Sequence, residues 1–182
     1  MDRDNNNAEV VNSSRSVDCI RDLKLIDPKA WPPERLEWLW QHVKEEKYAC
    51  DDPGENNAAL FLANLFNPCT EHYEYGDASY WVVLNIVAGI NADIHFCHWD
   101  DVSVHEVKAI HDYIYRHLVE VWDIHRTTAY VPEFNQQAKR VSLILGYKFE
   151  GCAREMFLKG KRFFDLNIFG LLRSDFERKR GV

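Results

Sequence analysis

The stretch from His125 to Arg154, HRTTAYVPEFNQQAKRVSLILGYKFEGCAR, constrains this chain more than any other. Arg126 to Val131 alternates β-branched and aromatic residues, which predicts a strand, and Pro132 ends it because it has no amide to donate to a ladder. Asn135 then stands where a side-chain oxygen would satisfy the free amides at a helix start. Ala138, Val141 and Leu145 fall on one face of that helix. Gly146 follows the last periodic residue, the place where a helix needs a residue that tolerates positive φ, and a second strand begins within a few residues. The unit is strand, cap, short helix, glycine, strand.

The remaining elements follow from periodicity and punctuation. A first short strand is expected within Val17–Ile26, and Asp27-Pro28 with Trp31-Pro32-Pro33 marks a turn. Leu36, Leu39, Trp40 and Val43 recur at helical spacing up to Glu45-Glu46-Lys47. After a loop at Asp51-Asp52-Pro53-Gly54, Ala58–Phe66 reads as a second helix ended by Asn67-Pro68. Strands are expected at His72–Tyr75, Tyr80–Ala88 and Ala92–Trp99, the second apolar enough for a position covered on both faces. Ser103-Val104-His105-Glu106 has the form of a capping box, and Val107, Ile110, Ile114, Leu118 and Val121 continue it as the longest helix. Ala153–Leu158 and Phe163–Leu172, joined by a turn at Lys159–Arg162, form a last hairpin.

Composition sets the class. At 182 residues with no repeat, the chain is expected to form one domain over 17–182 behind a polar tail, 1–16, that is too poor in apolar groups to order itself. Five cysteines without a C-x-x-C pair point to reduced thiols and exclude a disulfide scaffold. The N-terminus lacks an apolar core of a leader, and no run approaches the roughly 20 apolar residues of a membrane span, so a cytoplasmic protein without membrane partners is expected. A net charge of −7 argues against general attraction to nucleic acid, although Glu150–Val182 carries eight basic against five acidic residues. The histidines do not form a metal site. His95 and Cys97 share one strand face with His98 on the other, and His105, His111 and His117 are spaced to point round a helix. Most tryptophans are expected in the core, with Tyr73, Tyr75 and Tyr80 offered as an exposed acceptor-binding surface.

The central unit resembles motif B of the GNAT superfamily, the acyl-CoA-dependent N-acyltransferases. The matching words are Val131-Pro132, Asn135 with Ala138, Leu145-Gly146-Tyr147, and Glu150-Gly151 followed by Arg154. Within that superfamily the end of the chain is similar to the Rim-type N-acetyltransferases: Lys159-Gly160-Lys161 as a turn, then Asp165 and Phe169-Gly170-Leu171-Leu172-Arg173. The match covers about 125–173, and upstream it extends to the order of elements. It implies an α/β (α+β) single domain, with a mixed sheet splayed around a cofactor cleft and about four flanking helices.

By that resemblance the cofactor is acetyl-CoA or another acyl-CoA. Its contacts fall at the main chain of Phe96, Cys97 and His98, at Ser103, and at Asn135 and Ala138. The tyrosine that serves many relatives as the acid for the departing thiolate is replaced here by Ser142, which becomes the catalytic acid. For the base, Glu133 beside the motif B helix is put forward over Glu150, His95 and Asp93. The family's glycine-rich pyrophosphate loop is missing, replaced by Trp99-Asp100-Asp101-Val102-Ser103-Val104. A carboxylate about 6 Å from a phosphate charge is opposed by roughly 3 kcal/mol before screening. Three readings are therefore open: acyl transfer to a peptide N-terminus or small-molecule amine, a GNAT-fold binding or structural protein that has lost catalysis, and acyl transfer to a nucleobase or other unusual amine.

Overall fold

The computed structural model describes residues 20–45 and 57–181. The 1–16 tail and the Asp51-Asp52-Pro53-Gly54 loop lie outside them. In chain order the elements are β1 (Leu23–Ile26), a 3-10 turn (Pro28–Ala30), α1 (Pro33–Glu45), α2 (Ala58–Leu65), β2 (Glu71–Tyr75), β3 (Ser79–Val87), β4 (Asn91–His98), α3 (Val104–Trp122), β5 (Arg126–Pro132), α4 (Gln136–Leu145), β6 (Lys148–Lys159), β7 (Arg162–Leu172) and α5 (Arg173–Arg180). The strands form one sheet of order β1-β2-β3-β4-β5-β7-β6. Among the described residues every neighbouring pair is antiparallel except β4 and β5, the pair that the α3 crossover joins.

Register divides the core into two layers. Trp81 lies opposite Phe96 and Val83 opposite Ile94, and these side chains pack with Val107, Ile110, Ile114 and Leu118 of α3 and Leu145 of α4. The intervening residues, Tyr80 and Val82, face the other way onto Leu39 and Val43 of α1 and Leu65 of α2. Helices α3 and α4 thus cover one face and α1 and α2 the other. The caps expected at Ser103, Asn135 and Gly146 are present, and Asn57 is a further one. Asn57, Ser103 and Asn135 each accept an amide of the first turn, and Gly146 closes α4 at φ +106°.

Three expectations need correction. Helix α5 was not anticipated, making five α-helices among the described residues where about four were expected. Its sequence RSDFERKR has one large apolar residue, Phe176, which is buried and stacks on Tyr115 at 4.2 Å, and ion pairs from Asp175 to Lys148 and from Arg173 to Asp123 complete the docking that periodicity does not show. Val121 continues the α3 spacing but is 59% exposed, and Val119 and Trp122 are the residues of that turn that pack on the core. Tyr73 and Tyr80 are not an exposed surface: they are 0% and 4% exposed, because β2 and β3 are interior strands of the sheet.

Candidate active site

The parallel pairing of β4 and β5 is short. Asn91, Ala92 and Asp93 lie opposite Arg126, Thr127 and Thr128, and the ladder then ends. Beyond it β4 stays paired with β3 as far as His98, while β5 stays paired with β7 as far as Pro132, so each strand follows its outer neighbour and a gap opens between them. A polar network marks the vertex. Thr128 Oγ1 donates to Asn91 Oδ1 (2.8 Å), and Asn91 Nδ2 and Asn85 Nδ2 donate to the two carboxylate oxygens of the buried Asp93 (3.0 and 2.9 Å).

The gap is a cleft of about 550 Å³ that passes through the sheet. Val104, Val107, Ala138 and Ser142 line it on the α3–α4 side, and Trp40, Phe61 and Leu65 on the α1–α2 side. Backbone direction along β4 can be read from its ends. Ile90 C=O accepts from His125 and Arg126, towards β5, whereas Trp99 N–H donates to Ala78, towards β3. Strand alternation then aims the main-chain groups of Phe96 and His98 into the gap and those of Cys97 at β3. Here donors stand along one wall with no strand opposite among the described residues.

The cleft's ionisable side chains are held neutral. His95 faces the α1–α2 side, its ring nearly parallel to Tyr130 at 6.5 Å, and burial holds its pKa below the usual histidine range. His98, bonded through Nδ1 to Ser79 Oγ (2.7 Å), is pushed down to about 4 by burial, and its buried Nε2 has no hydrogen-bond partner among the described residues. His72 is also lowered to about 4 by burial, and it contacts Tyr80 Oη through Nδ1 at 2.6 Å. Tyr130 is raised, first by burial and then by the Asp93 charge. Where α3 begins at the mouth, Ser103 N–H donates to Glu106 Oε2 (2.8 Å), Glu106 N–H to Ser103 Oγ (3.2 Å), and Asp101 N–H to Asp100 Oδ1 (2.8 Å).

The fold is similar to that of solved acetyltransferase structures. Spermidine N-acetyltransferase from Vibrio cholerae, in complex with CoA and spermine, superposes with a TM-score of 0.63 at 14% identity, over 85% of this chain and 98% of that one. RimL, a ribosomal L7/L12 alpha-N-protein acetyltransferase in complex with coenzyme A, gives 0.65 at 16% identity, over 84% and 94%. The microcin C7 self-immunity acetyltransferase MccE, in complex with acetyl-CoA and AMP, gives 0.66 at 14%, over 85% and 94%. This chain has the GNAT fold. No protein-family model and no curated protein sequence matches it, so the likeness is one of architecture.

On the GNAT frame, most of the residues singled out in the sequence come together. Phe96, Cys97, His98, Asn135, Ala138 and Ser142 all line the cleft. Asn135 is 9% exposed and spends Oδ1 on the Ala138 amide (3.0 Å), which leaves Nδ2 as the group it can offer a ligand. Ser142 Oγ donates to the Ala138 carbonyl at 2.9 Å, so its proton points back along the helix. Two residues fall elsewhere. Ser103 is the exposed cap of α3, and Glu133 is exposed on the β7 side, where its amide donates to Asp165 O (2.9 Å) and its carboxylate accepts from Asp165 N–H (3.4 Å). Tyr130 and His72 were not singled out, since a lone aromatic or histidine in a strand has no signature until the strand's partner is known.

The fit to an acyl-CoA differs along its length. The cleft, the Phe96 and His98 main chain and Asn135 Nδ2 suit an apolar, amide-bearing pantetheine arm and a thioester. The start of α3 does not suit the diphosphate. Its loop has no glycine, the Asp101, Ser103 and Glu106 amides are taken by the protein's own side chains, and Asp100, Asp101 and Glu106 bring negative charge.

Proposed function

We propose that this protein is an N-acyltransferase that moves an acyl group, taken as acetyl, from an acyl-CoA to an amine by direct attack. The observation that carries the reading is the cleft's passage through the sheet, which lets a donor entering between α3 and α4 meet an acceptor entering between α1 and α2. The thioester, when bound, supplies the activated acyl carbon. The main-chain N–H groups of Phe96 and His98 stand where they can bond the acyl oxygen as it gains charge, a contribution worth about 3 kcal/mol per donor in comparable sites.

His95 takes the role of base. It lies on the acceptor side, and burial leaves the ring neutral near pH 7 with a lone pair for the amine's proton, which it must pass on to solvent because the same burial disfavours the imidazolium. Glu133, first put forward for this role, does not line the cleft. Ser142 can serve the leaving sulfur only by rotating off the Ala138 carbonyl. The demand on it is small, because a thiol with a pKa of about 8.5 departs as thiolate and can take its proton from water. The bond balance is one N–C bond formed, one C–S bond broken, and the amine proton passed to His95.

The test is thiol release from acetyl-CoA and from S-acetylpantetheine against a panel of peptide N-termini, small-molecule amines and nucleobases, with mass spectrometry of the acceptor. Amine-dependent release with an acceptor gain of one acetyl group is expected. A second reading, a GNAT-fold binding protein without catalysis, is favoured by the closed start of α3. No release with any acceptor, together with no melting shift from either thioester, would establish that second reading. A ligand at 100 times its dissociation constant should stabilise the fold by about 2.7 kcal/mol.

A further inference from the structure

We propose that this protein recognises its donor through the pantetheine arm and thioester alone, with Glu106 closing the start of α3 so that the nucleotide end of an acyl-CoA stays in solvent and adds no affinity. The proposal rests on the acyltransfer reading and narrows its donor requirement.

A helix start binds phosphate because its first amides lack intrahelical partners and sit at the positive end of the macrodipole. Both resources are partly used here. Glu106 Oε2 accepts the Ser103 amide and Ser103 Oγ accepts the Glu106 amide, while Val107 N–H is bonded to Ser103 O. The second carboxylate oxygen, Oε1, accepts from Tyr75 Oη at 2.8 Å. That tyrosine belongs to β2, so the carboxylate is held from outside its own helix. These bonds from Ser103 and Tyr75 keep the Glu106 pKa below the usual carboxylate range, so the charge is present at neutral pH. One turn earlier the Asp101 amide is occupied by Asp100, and both aspartates are exposed at the mouth. An incoming diphosphate would meet three carboxylates and a helix start whose Ser103 and Glu106 amides are already taken.

Nothing comparable opposes the arm. The cleft residues from β4, β5 and α4 include no Asp, Glu, Lys or Arg, and their histidines are neutral. Recognition by hydrogen bonding and apolar contact is insensitive to salt, whereas a diphosphate held by helix amides and cations is weakened by it.

Isothermal titration of the full chain with pantetheine and with CoA, in 50 and 500 mM NaCl, tests this. CoA should bind no more than about threefold tighter than pantetheine at low salt, and added salt should not weaken it. The D100N/D101N variant should improve CoA binding several-fold at low salt and leave pantetheine unchanged. CoA binding more than tenfold tighter than pantetheine, and falling with salt, would overturn the proposal while leaving the acyltransfer reading intact. Failure of both compounds to bind would remove that reading and the proposal with it.

Discussion

The cleft histidines make a prediction about acid. His72 is 3% exposed, between Tyr80 Oη at Nδ1 (2.6 Å) and Thr70 Oγ1 at Nε2 (3.1 Å). The Thr70 hydroxyl donates to the Asn67 carbonyl (2.6 Å), so it accepts from the ring, which places the single proton on Nε2 and makes Tyr80 the donor to Nδ1. Protonating Nδ1 would set two donors against each other in a buried place. Burial accordingly lowers the folded pKa from 6.5 to about 4. Because the folded value is the lower, the unfolded chain binds more protons between the two. The stabilisation is complete above about pH 6.5 and is lost as pH falls towards 4. For this ring the loss between pH 7.5 and 5 is about 2 kcal/mol, approaching roughly 3 below pH 4. His72→Asn keeps an oxygen near Nδ1 for Tyr80 and removes the titration. In urea unfolding at both pH values, the variant should be about 1–2 kcal/mol weaker at pH 7.5 for the lost packing and Thr70 bond. Its loss on going to pH 5 should be about 2 kcal/mol smaller than that of the parent. His95 and His98 are present in both proteins and cancel. Equal pH sensitivity in the two would refute a neutral buried His72.

Other substitutions separate structural from functional roles. Asn135→Ala should cost about 1 kcal/mol in urea unfolding through the lost cap, whereas Asn135→Asp caps as well but has no Nδ2. The aspartate variant should therefore keep stability and bind pantetheine more weakly in titration calorimetry. His95→Gln should reduce acyl transfer by about 10²–10⁴-fold while the melting temperature stays within a few degrees. For Ser142→Ala, whose hydroxyl serves only the Ala138 carbonyl in this conformation, turnover within about threefold of the parent is expected, since the thiolate needs little help to leave. Gly146→Ala places a Cβ at φ +106°, 3.2 Å from Lys179 Nζ, and should lose about 1–2 kcal/mol in urea unfolding.

What the sequence revealed and concealed follows from the range of each signal. Asn135, Gly146 and Ser103 were legible because a cap or a positive φ is decided by residues within one helical turn. The cleft lining was legible once the order of elements implied a splay, and six of the eight singled-out residues do meet there. Tyr73 and Tyr80 were misread as surface because their burial depends on helices that pack from outside the local pattern, α3 over Tyr73 and α1 and α2 over Tyr80. Glu133 was put forward for its nearness in sequence to the α4 cap. The turn after Pro132 instead carries its side chain to Asp165 of β7, a pairing between residues far apart in the chain. Helix α5 is held by one buried aromatic and by ion pairs to distant residues, Lys148–Asp175 and Arg173–Asp123, and has no amphipathic stripe to read.

The vertex explains why the cleft stays open. Two neighbouring strands gain free energy by continuing to pair, so a lasting gap needs a stronger claim on each strand from its other side. Here β4 is engaged by β3 up to Ser79 opposite His98, and β5 by β7 up to Leu166 opposite Pro132. Pro132 has no amide to offer a further parallel partner. The last parallel pair, Asp93 with Thr128, is also where the side-chain chain from Thr128 through Asn91 to Asp93 fixes the register, so the strands cannot slide to extend the ladder without breaking these half-buried hydrogen bonds. The main-chain groups left facing the gap at Phe96 and His98 thus remain without a strand partner, which a ligand amide or acyl oxygen can supply. Asn85, at φ +52° beside the β3 irregularity, adds the second donor to Asp93 and ties the outer strand to the same point. The place where the sheet parts is therefore set by four polar residues at its vertex, and further along β4 the Phe96 and His98 amides face the gap with no strand partner among the described residues.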